Sequence, residues 1–393
     1  MSAFVRRFRR ALRDQQGIAL LIVLMVTTVM TVLILDLHQS VRINFYIASN
    51  LSDGVKAAYL VRSGVQVAAG ALLSDRQDNS VDSLHEDWYD FLGKLGMPGM
   101  PVGDGTVIME INDEAGRFNL NAMVGKRGTA RQQIVDIFRE LLEGEELDPE
   151  LANAVVDWID ADEETVNEGG MEDAVYGYEA MEDGVTSKNA PFDSLQEVRL
   201  VAGITDEVWQ KLEPLVTIYG DAQLNLNTAE KKVMKAVLKV ADEKADTSLI
   251  DKIIEWREAT GGEQEEGEDK SEDMFSGLAG GEGNVFKKKD MVKLLVNDIG
   301  MDQTTAKRFA RYFTDSSRYF RVSATALVGN VQKTALGIVQ RSKNKAKIVY
   351  YRVAPGLSSE LQKKQQEAAG TSETTPSVQE LMQQMQGGTI GLQ

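Results

Sequence analysis

The densest group of side chains able to do chemistry lies in DWIDADEETVNEGGMEDAVYGY, residues 157–178. Hard cations such as calcium collect about six to eight oxygens from carboxylates, amides and carbonyls. Asp160 and Asp162 stand in D-x-D spacing, and Glu172 and Asp173 follow a Gly-Gly that lets the chain turn back. Asn189 can return an amide or carbonyl oxygen just before Pro191. The pattern is not an EF-hand, because counted from Asp160 the sixth position is Thr165 rather than glycine and the twelfth is Met171 rather than glutamate. Pattern alone leaves two readings open, a calcium loop and a solvated acidic loop.

Little else in the chain offers catalysis. Its 393 residues contain no cysteine and only two histidines, His38 and His85, which excludes a common zinc or thiol site and any disulfide. A membrane-bound metal hydrolase would need a nucleophile or base beside the acids, and no such pairing is visible, so the chain is expected not to be an enzyme. The net charge of −17 counts against nucleic acid or anionic lipid as partner of the bulk domain.

The acidic stretch must be held by a helical block, and that block contains itself twice. FNLNAM at 118–123 recurs as LNLNTA at 224–229, VVDWID at 155–160 as IIEWRE at 253–258, and NAPFDSLQEVRLVAGIT at 189–205 as NVFKKKDMVKLLVNDIGMD at 284–302. Three landmarks keep their order about a hundred residues apart, which defines an internal repeat of about 119–220 and 225–315. Each unit ends in a glycine turn, Gly203-Ile204-Thr205 or Gly300-Met301-Asp302, with Thr205 or Asp302 placed to cap the next helix. Such units resemble helix-hairpin-helix or SAM-like folds. Lys307, Arg308 and Arg311 after the second turn keep open a membrane-anchored DNA-uptake receptor, whereas Asp206 and Glu207 after the first would repel phosphate. The plain alternative is a tight corner between helices. The D-x-D pair at 160 and 162 is not repeated in the second copy, which reads WREATGG, so the scaffold does not need it.

Strand patterns flank the block. GTVIMEIND at 105–113 alternates, and alternation returns at 318–330, 333–342 and 345–353. The expected fold is α+β, a small antiparallel sheet split into 76–123 and 316–353 by an all-α insert at 124–315. Residues 260–284 and 354–393 read as disordered by composition.

At the N-terminus, Arg6, Arg7, Arg9, Arg10 and Arg13 precede Gly17 and an uncharged apolar run from Ile18 to Leu35. Counted to Leu37 the run reaches the length of a bilayer-spanning helix, and the arginines put its start in the cytoplasm. No Ala-x-Ala follows. Instead Val41, Phe45, Ala48, Leu51, Val55, Ala58, Val61, Val65, Ala68 and Leu72 step by threes and fours, predicting one helix over 18–75 whose remainder packs on a domain.

A basic leader (1–17) ending in glycine, followed by an apolar helix that runs into an amphipathic one, resembles the type IV prepilin class. The resemblance implies cleavage between Gly17 and Ile18 by a prepilin peptidase and N-methylation of Ile18. Most members carry Glu at the fifth mature position, which here is Ile22. Within the class its absence resembles the K-type minor pseudopilin of type II secretion. That family's Trp-Ile-Asp, Glu-Asp with Tyr, and Asn-x-Pro-Phe segments are matched by Trp158-Ile159-Asp160, Glu172-Asp173 with Tyr176, and Asn189-Ala190-Pro191-Phe192.

The resemblance implies a structural calcium ion held by Asp160, Asp162, Glu172 and Asp173, and more weakly by Asn189. It implies a periplasmic bulk on a single-pass inner-membrane anchor. The implied role is capping the tip of the secretion pseudopilus, with I- and J-type and then H-type minor pseudopilins, the major pseudopilin and the inner-membrane assembly platform as partners. A tip minor pilin of a type IV pilus is the neighbouring alternative.

Overall fold

A computed structural model describes residues 15–89, 99–161, 187–259 and 283–354. Helix α1, Gln15–Asp78, runs unbroken through both the apolar stretch and the periodic one. No proline interrupts it, and the hydroxyls of Thr27, Thr28 and Thr31 donate to carbonyls one turn back, at 3.0, 2.7 and 2.7 Å. The only polar side chains of the run therefore bond within their own helix, as an apolar surrounding requires.

The sheet order is β1 (Met100–Val102), β2 (Gly105–Asp113), β7 (Tyr319–Val328), β8 (Val331–Ser342), β9 (Lys345–Ala354), antiparallel throughout. The three late strands and β2 fall where alternation predicts. Strand β1 falls inside the expected first sheet segment, 76–123, in a stretch with no alternating pattern. It is a three-residue edge folded back on β2 around Gly103, whose φ is 58°.

Alternate β7 residues Phe320, Val322, Ala324, Ala326 and Val328 are buried beneath α1, which presents Ala57, Val61, Val65, Ala68 and Leu72. The approach is close: a Cβ on Gly337 would sit 2.6 Å from Val65 Cγ1. The expected packing face is corrected at its start. Val41, Phe45, Leu51 and Val55 are exposed, and burial begins at Ala57. The reason is reach, since the β7–β8 turn at Gly329 ends the sheet beside Asp53.

The insert leaves the sheet after Asp113 and re-enters at Tyr319, and Asp113 pairs with Phe320. Its roots are thus one strand spacing apart, at the end of the sheet farthest from the apolar half of α1. Its first half holds β3 (Phe118–Asn119), α2 (Gln132–Gly144), α3 (Leu151–Ile159), α4 (Asp206–Leu212) and β4 (Val216–Thr217). Its second half holds β5 (Leu224–Asn225), α5 (Lys231–Ala241), α6 (Ser248–Glu258), α7 (Met291–Asn297), α8 (Gln303–Ala310) and β6 (Phe313–Thr314). In each half the first short strand pairs in parallel with the last, β3 with β4 and β5 with β6. One apolar core, centred on Phe138, Phe286 and Phe309, runs through both.

Candidate functional site

The acidic stretch emerges from α3. Asp160 follows its last residue, 5 % exposed, with its amide donating to Val156 O at 2.9 Å. On the returning side Asn189 has a φ of 48°. Two contacts close the base of this excursion. Trp158 stacks on Phe192 at 6.4 Å with the rings nearly parallel. Asn121 clasps the Phe192 peptide from both sides, Nδ2 donating to its O at 3.0 Å and Oδ1 accepting from its N at 2.8 Å. Asp160 and Asn189 thus flank one stem. Asp162, Glu172 and Asp173 lie outside the described residues. An oxygen-only donor set with a buried carboxylate at its root fits a hard cation better than a soft one.

The second half repeats the clasp without the D-x-D pair. Asn227 Nδ2 donates to Phe286 O at 3.0 Å, Phe286 N donates to Asn227 Oδ1 at 2.7 Å, and Trp256 packs on Phe286 at 4.3 Å. The turns also match. Gly203 and Gly300 have φ of 82° and 80°, the left-handed region that favours glycine. Thr205 accepts from Val208 N, and Asp302 from Thr304 N and Thr305 N. After the first turn Asp206 pairs with Arg199.

A polar joint ties the insert to the sheet and the end of α1. Arg341, 2 % exposed, donates to Leu72 O at 3.2 Å and Asp75 Oδ2 at 2.8 Å, pairs with Asp82, and lies 4.5 Å over the Phe320 ring. Asn225 Nδ2 reaches Asp82 O, Ser317 Oγ and Asp113 Oδ2 at 2.9, 2.9 and 3.1 Å. Burial pushes Asp75 and Asp113 up to about 6 and Glu86 up to about 8, and raises Asp82, with Arg341 opposing the shift at Asp75 and Asp82. Carboxylate oxygens of Asp75, Asp82 and Glu86 lie within 4.8 Å of one another. Arg341 already supplies the positive charge there, so the group reads as an ion-paired joint. A second, smaller joint pairs buried Glu114 with Arg321 at 2.6 Å and with the Thr217 hydroxyl.

These joints escape sequence reasoning because their members are scattered from Asp75 to Arg341. One signal existed. Arg341 falls in the same strand phase as Ala335, Gly337 and Val339, which face the helix, and a charge in an apolar phase marks a buried pair. At the other end of the molecule, Gly17 and Ile18 lie in the first turn of α1, and Ile18 is exposed. The helix is long and apolar enough to cross a membrane, with a mean hydropathy of 2.9 over its richest window.

An apolar helix laid on a small antiparallel sheet, with a helical insert at the far end, defines a pilin-like structural component carried on a membrane anchor. Residues 116–221 match the family model described as type II secretion system (T2SS), protein K. The type II secretion system protein K of Klebsiella pneumoniae is 30% identical over 259 residues, 63% of this chain and 76% of that protein. Its counterpart in Pseudomonas aeruginosa is 26% identical over 344 residues, 84% and 90% of the two chains. The chain belongs to the type II secretion system protein K family and is a minor pseudopilin of that system. Its fold is that of a chain in the GspK-GspI-GspJ complex of enterotoxigenic Escherichia coli, with a TM-score of 0.57 and 18% identity over 79% of this chain and 99% of that one. The family is a structural part of the secretion machinery, and the N-terminal helix is its inner-membrane anchor.

Proposed function

We propose that the protein caps the tip of the periplasmic pseudopilus and helps to initiate its assembly for export across the outer membrane. The observation that carries this reading is the position of the insert. It is rooted at Asp113 and Phe320, beside the last turns of α1, about 60 Å along the helix from the apolar segment at the usual rise per residue. A mass of that size above the sheet leaves room for subunits below and obstructs one above. Ile22 in place of a glutamate supports the same reading, because a carboxylate in the bilayer needs a partner amine and a terminal subunit has none above it.

In this reading the leader arginines stay in the cytoplasm, cleavage follows Gly17, the amine of Ile18 is methylated, and the bulk lies in the periplasm. The exposed apolar face from Ile18 to Tyr59 packs laterally on helices of the I- and J-type minor pseudopilins, the neighbours in the solved complex. The chain has no cysteine, so Gln303→Cys introduces a single thiol on the insert. Gold coupled to it should mark one end of isolated pseudopili. Label spaced along their length would overturn the tip assignment. The start of the mature chain, read by mass spectrometry after co-expression with a prepilin peptidase, should be Ile18.

The insert is read as two SAM-like units, supported by the paired clasps and turns. Calcium is assigned to Asp160, Asp162, Glu172, Asp173 and Asn189. When bound it would neutralise carboxylates that otherwise repel and so hold the first unit's loop rigid. The buried Asp160 carboxylate at the closed stem supports the assignment. Chelation should lower the melting temperature and expose residues 155–190 to protease while the second unit's segment 283–302 keeps its resistance. Unchanged melting and digestion would remove calcium from the account.

A further inference from the structure

Between the two halves of the insert lies a cleft of about 530 Å³. Arg131, Arg308 and Arg311 line it, over a floor that includes Ile134, Val240 and Tyr312. No carboxylate lines it, and among the described residues none pairs with any of the three arginines. The nearest acids are engaged elsewhere. Asp136 accepts from Arg139 at 3.0 Å and Gln132 at 2.9 Å, and Asp242 from the Thr305 hydroxyl at 2.7 Å and Lys244 N at 3.1 Å.

Two further features add positive potential. Arg131, Gln133 and Ile134 belong to the start of α2, a 13-residue helix with no side-chain cap and no acid in its first turn. Lys288 sits at the rim, its Nζ on Gln223 Oε1 at 3.1 Å. Three guanidinium groups line this cleft with no carboxylate among its lining residues, in a chain of net charge −17, and the structural bond recorded for them is Arg131 Nη1 donating to Ala122 O at 3.3 Å, which leaves Arg308 and Arg311 uncommitted. Arg308 and Arg311 are exposed, so they are free to meet an anion.

We propose that this cleft docks a short acidic peptide segment of a partner protein, its carboxylates forked by Arg131, Arg308 and Arg311 and its aliphatic stems resting on Ile134, Val240 and Tyr312. Guanidinium groups match carboxylates bidentately. A nucleic acid fits less well. It needs a continuous cationic track, whereas these three arginines line one short cleft in a chain of net charge −17. The inference does not depend on where in the pseudopilus the subunit sits.

The test is fluorescence anisotropy of fluorescein-labelled hexaglutamate against the full-length protein in detergent micelles. Binding is expected, weakening with added salt, with hexaglutamine inert. R308Q/R311Q should weaken binding about tenfold or more, whereas Lys307→Gln, outside the lining, should leave it within about twofold. Thermal melting checks that the double variant folds, and Arg311→Gln alone decides if it does not. Absence of binding at about 1 mM peptide, or equal affinity of the variant, overturns the proposal. A six-nucleotide single strand that binds more tightly than hexaglutamate and is lost in the same variant overturns the peptide assignment in favour of nucleic acid.

Discussion

The two halves of the insert use the same local device in different company. In both, the second asparagine of Asn-Leu-Asn clasps the peptide of a phenylalanine that packs on a tryptophan. The first asparagine differs. Asn119 turns its amide to Gly220 O at 2.9 Å, inside its own half. Asn225 turns the equivalent amide outward to Asp82, Asp113 and Ser317, so the second half is bonded into the sheet and the end of α1. Among the described residues the first half meets the sheet through the Glu114–Arg321–Thr217 group and the stacking of Tyr219 on Tyr319, with Arg318 on Asp221 at 3.3 Å beside them. The difference assigns roles: one copy is the root of the insert, and the other is free to carry the acidic loop.

The largest expected effect tests the root. Arg341→Leu strands buried Asp82 and half-buried Asp75, and should cost about 3–5 kcal/mol in denaturant unfolding. A loss below about 1 kcal/mol would mean that the joint is not structural. Next comes the direct contrast of the asparagines. Asn225→Ala removes the two N–H donors that Asp82 O, Ser317 Oγ and Asp113 Oδ2 share and should cost about 3 kcal/mol, against about 1 kcal/mol for Asn119→Ala. Equal losses would erase the proposed asymmetry.

The glycine turns are also unequal. A Cβ on Gly203 would lie 2.6 Å from Leu151 Cδ2, while one on Gly300 meets nothing within 4 Å. Both pay the left-handed penalty of about 1 kcal/mol on mutation to alanine, and Gly203→Ala should exceed it by a further 1 kcal/mol or so. The smallest contrast is in the caps. Asp302→Ala loses bonds of 2.8 and 3.2 Å, and Thr205→Ala loses one of 3.4 Å, giving about 1 and about 0.5 kcal/mol respectively.

Acidity offers an independent probe of the root. Asp75, Asp113 and Glu86 bind protons more tightly folded than unfolded, because burial raises them to about 6, 6 and 8. The folded state therefore holds more protons, and stability falls as pH rises from about 4 through those values. Melting temperature should decline between pH 5 and pH 8, and Glu86→Gln should flatten the upper part of that decline. A rise over the same interval would contradict the burial seen at the joint.

Much of the architecture was legible in the residues, and the illegible parts have a common cause. Alternation located β2 and β7–β9 because one face of each packs on α1. It missed β1, whose three residues are too few to show a period, and it overextended the packed face of α1. Periodicity records which side of a helix is apolar and not whether a sheet is long enough to cover it. Of the acidic group, Asp162, Glu172 and Asp173 lie outside the described residues, and what is seen is Asp160 closing α3 and Asn189 three residues before Phe192.

The sequence by itself determined the unbroken N-terminal helix, the late hairpins, the twofold pattern of the insert and its capped glycine turns. Each rests on spacing within a few residues, where steric and hydrogen-bonding rules act locally. Only the tertiary structure decided that Asn119 would serve its own half and Asn225 the whole molecule. It also decided that Arg341 would join groups more than two hundred residues apart, and that three arginines would face one cleft that no carboxylate lines. Those outcomes depend on which surfaces are buried together, and burial belongs to the assembled fold rather than to any segment of the chain.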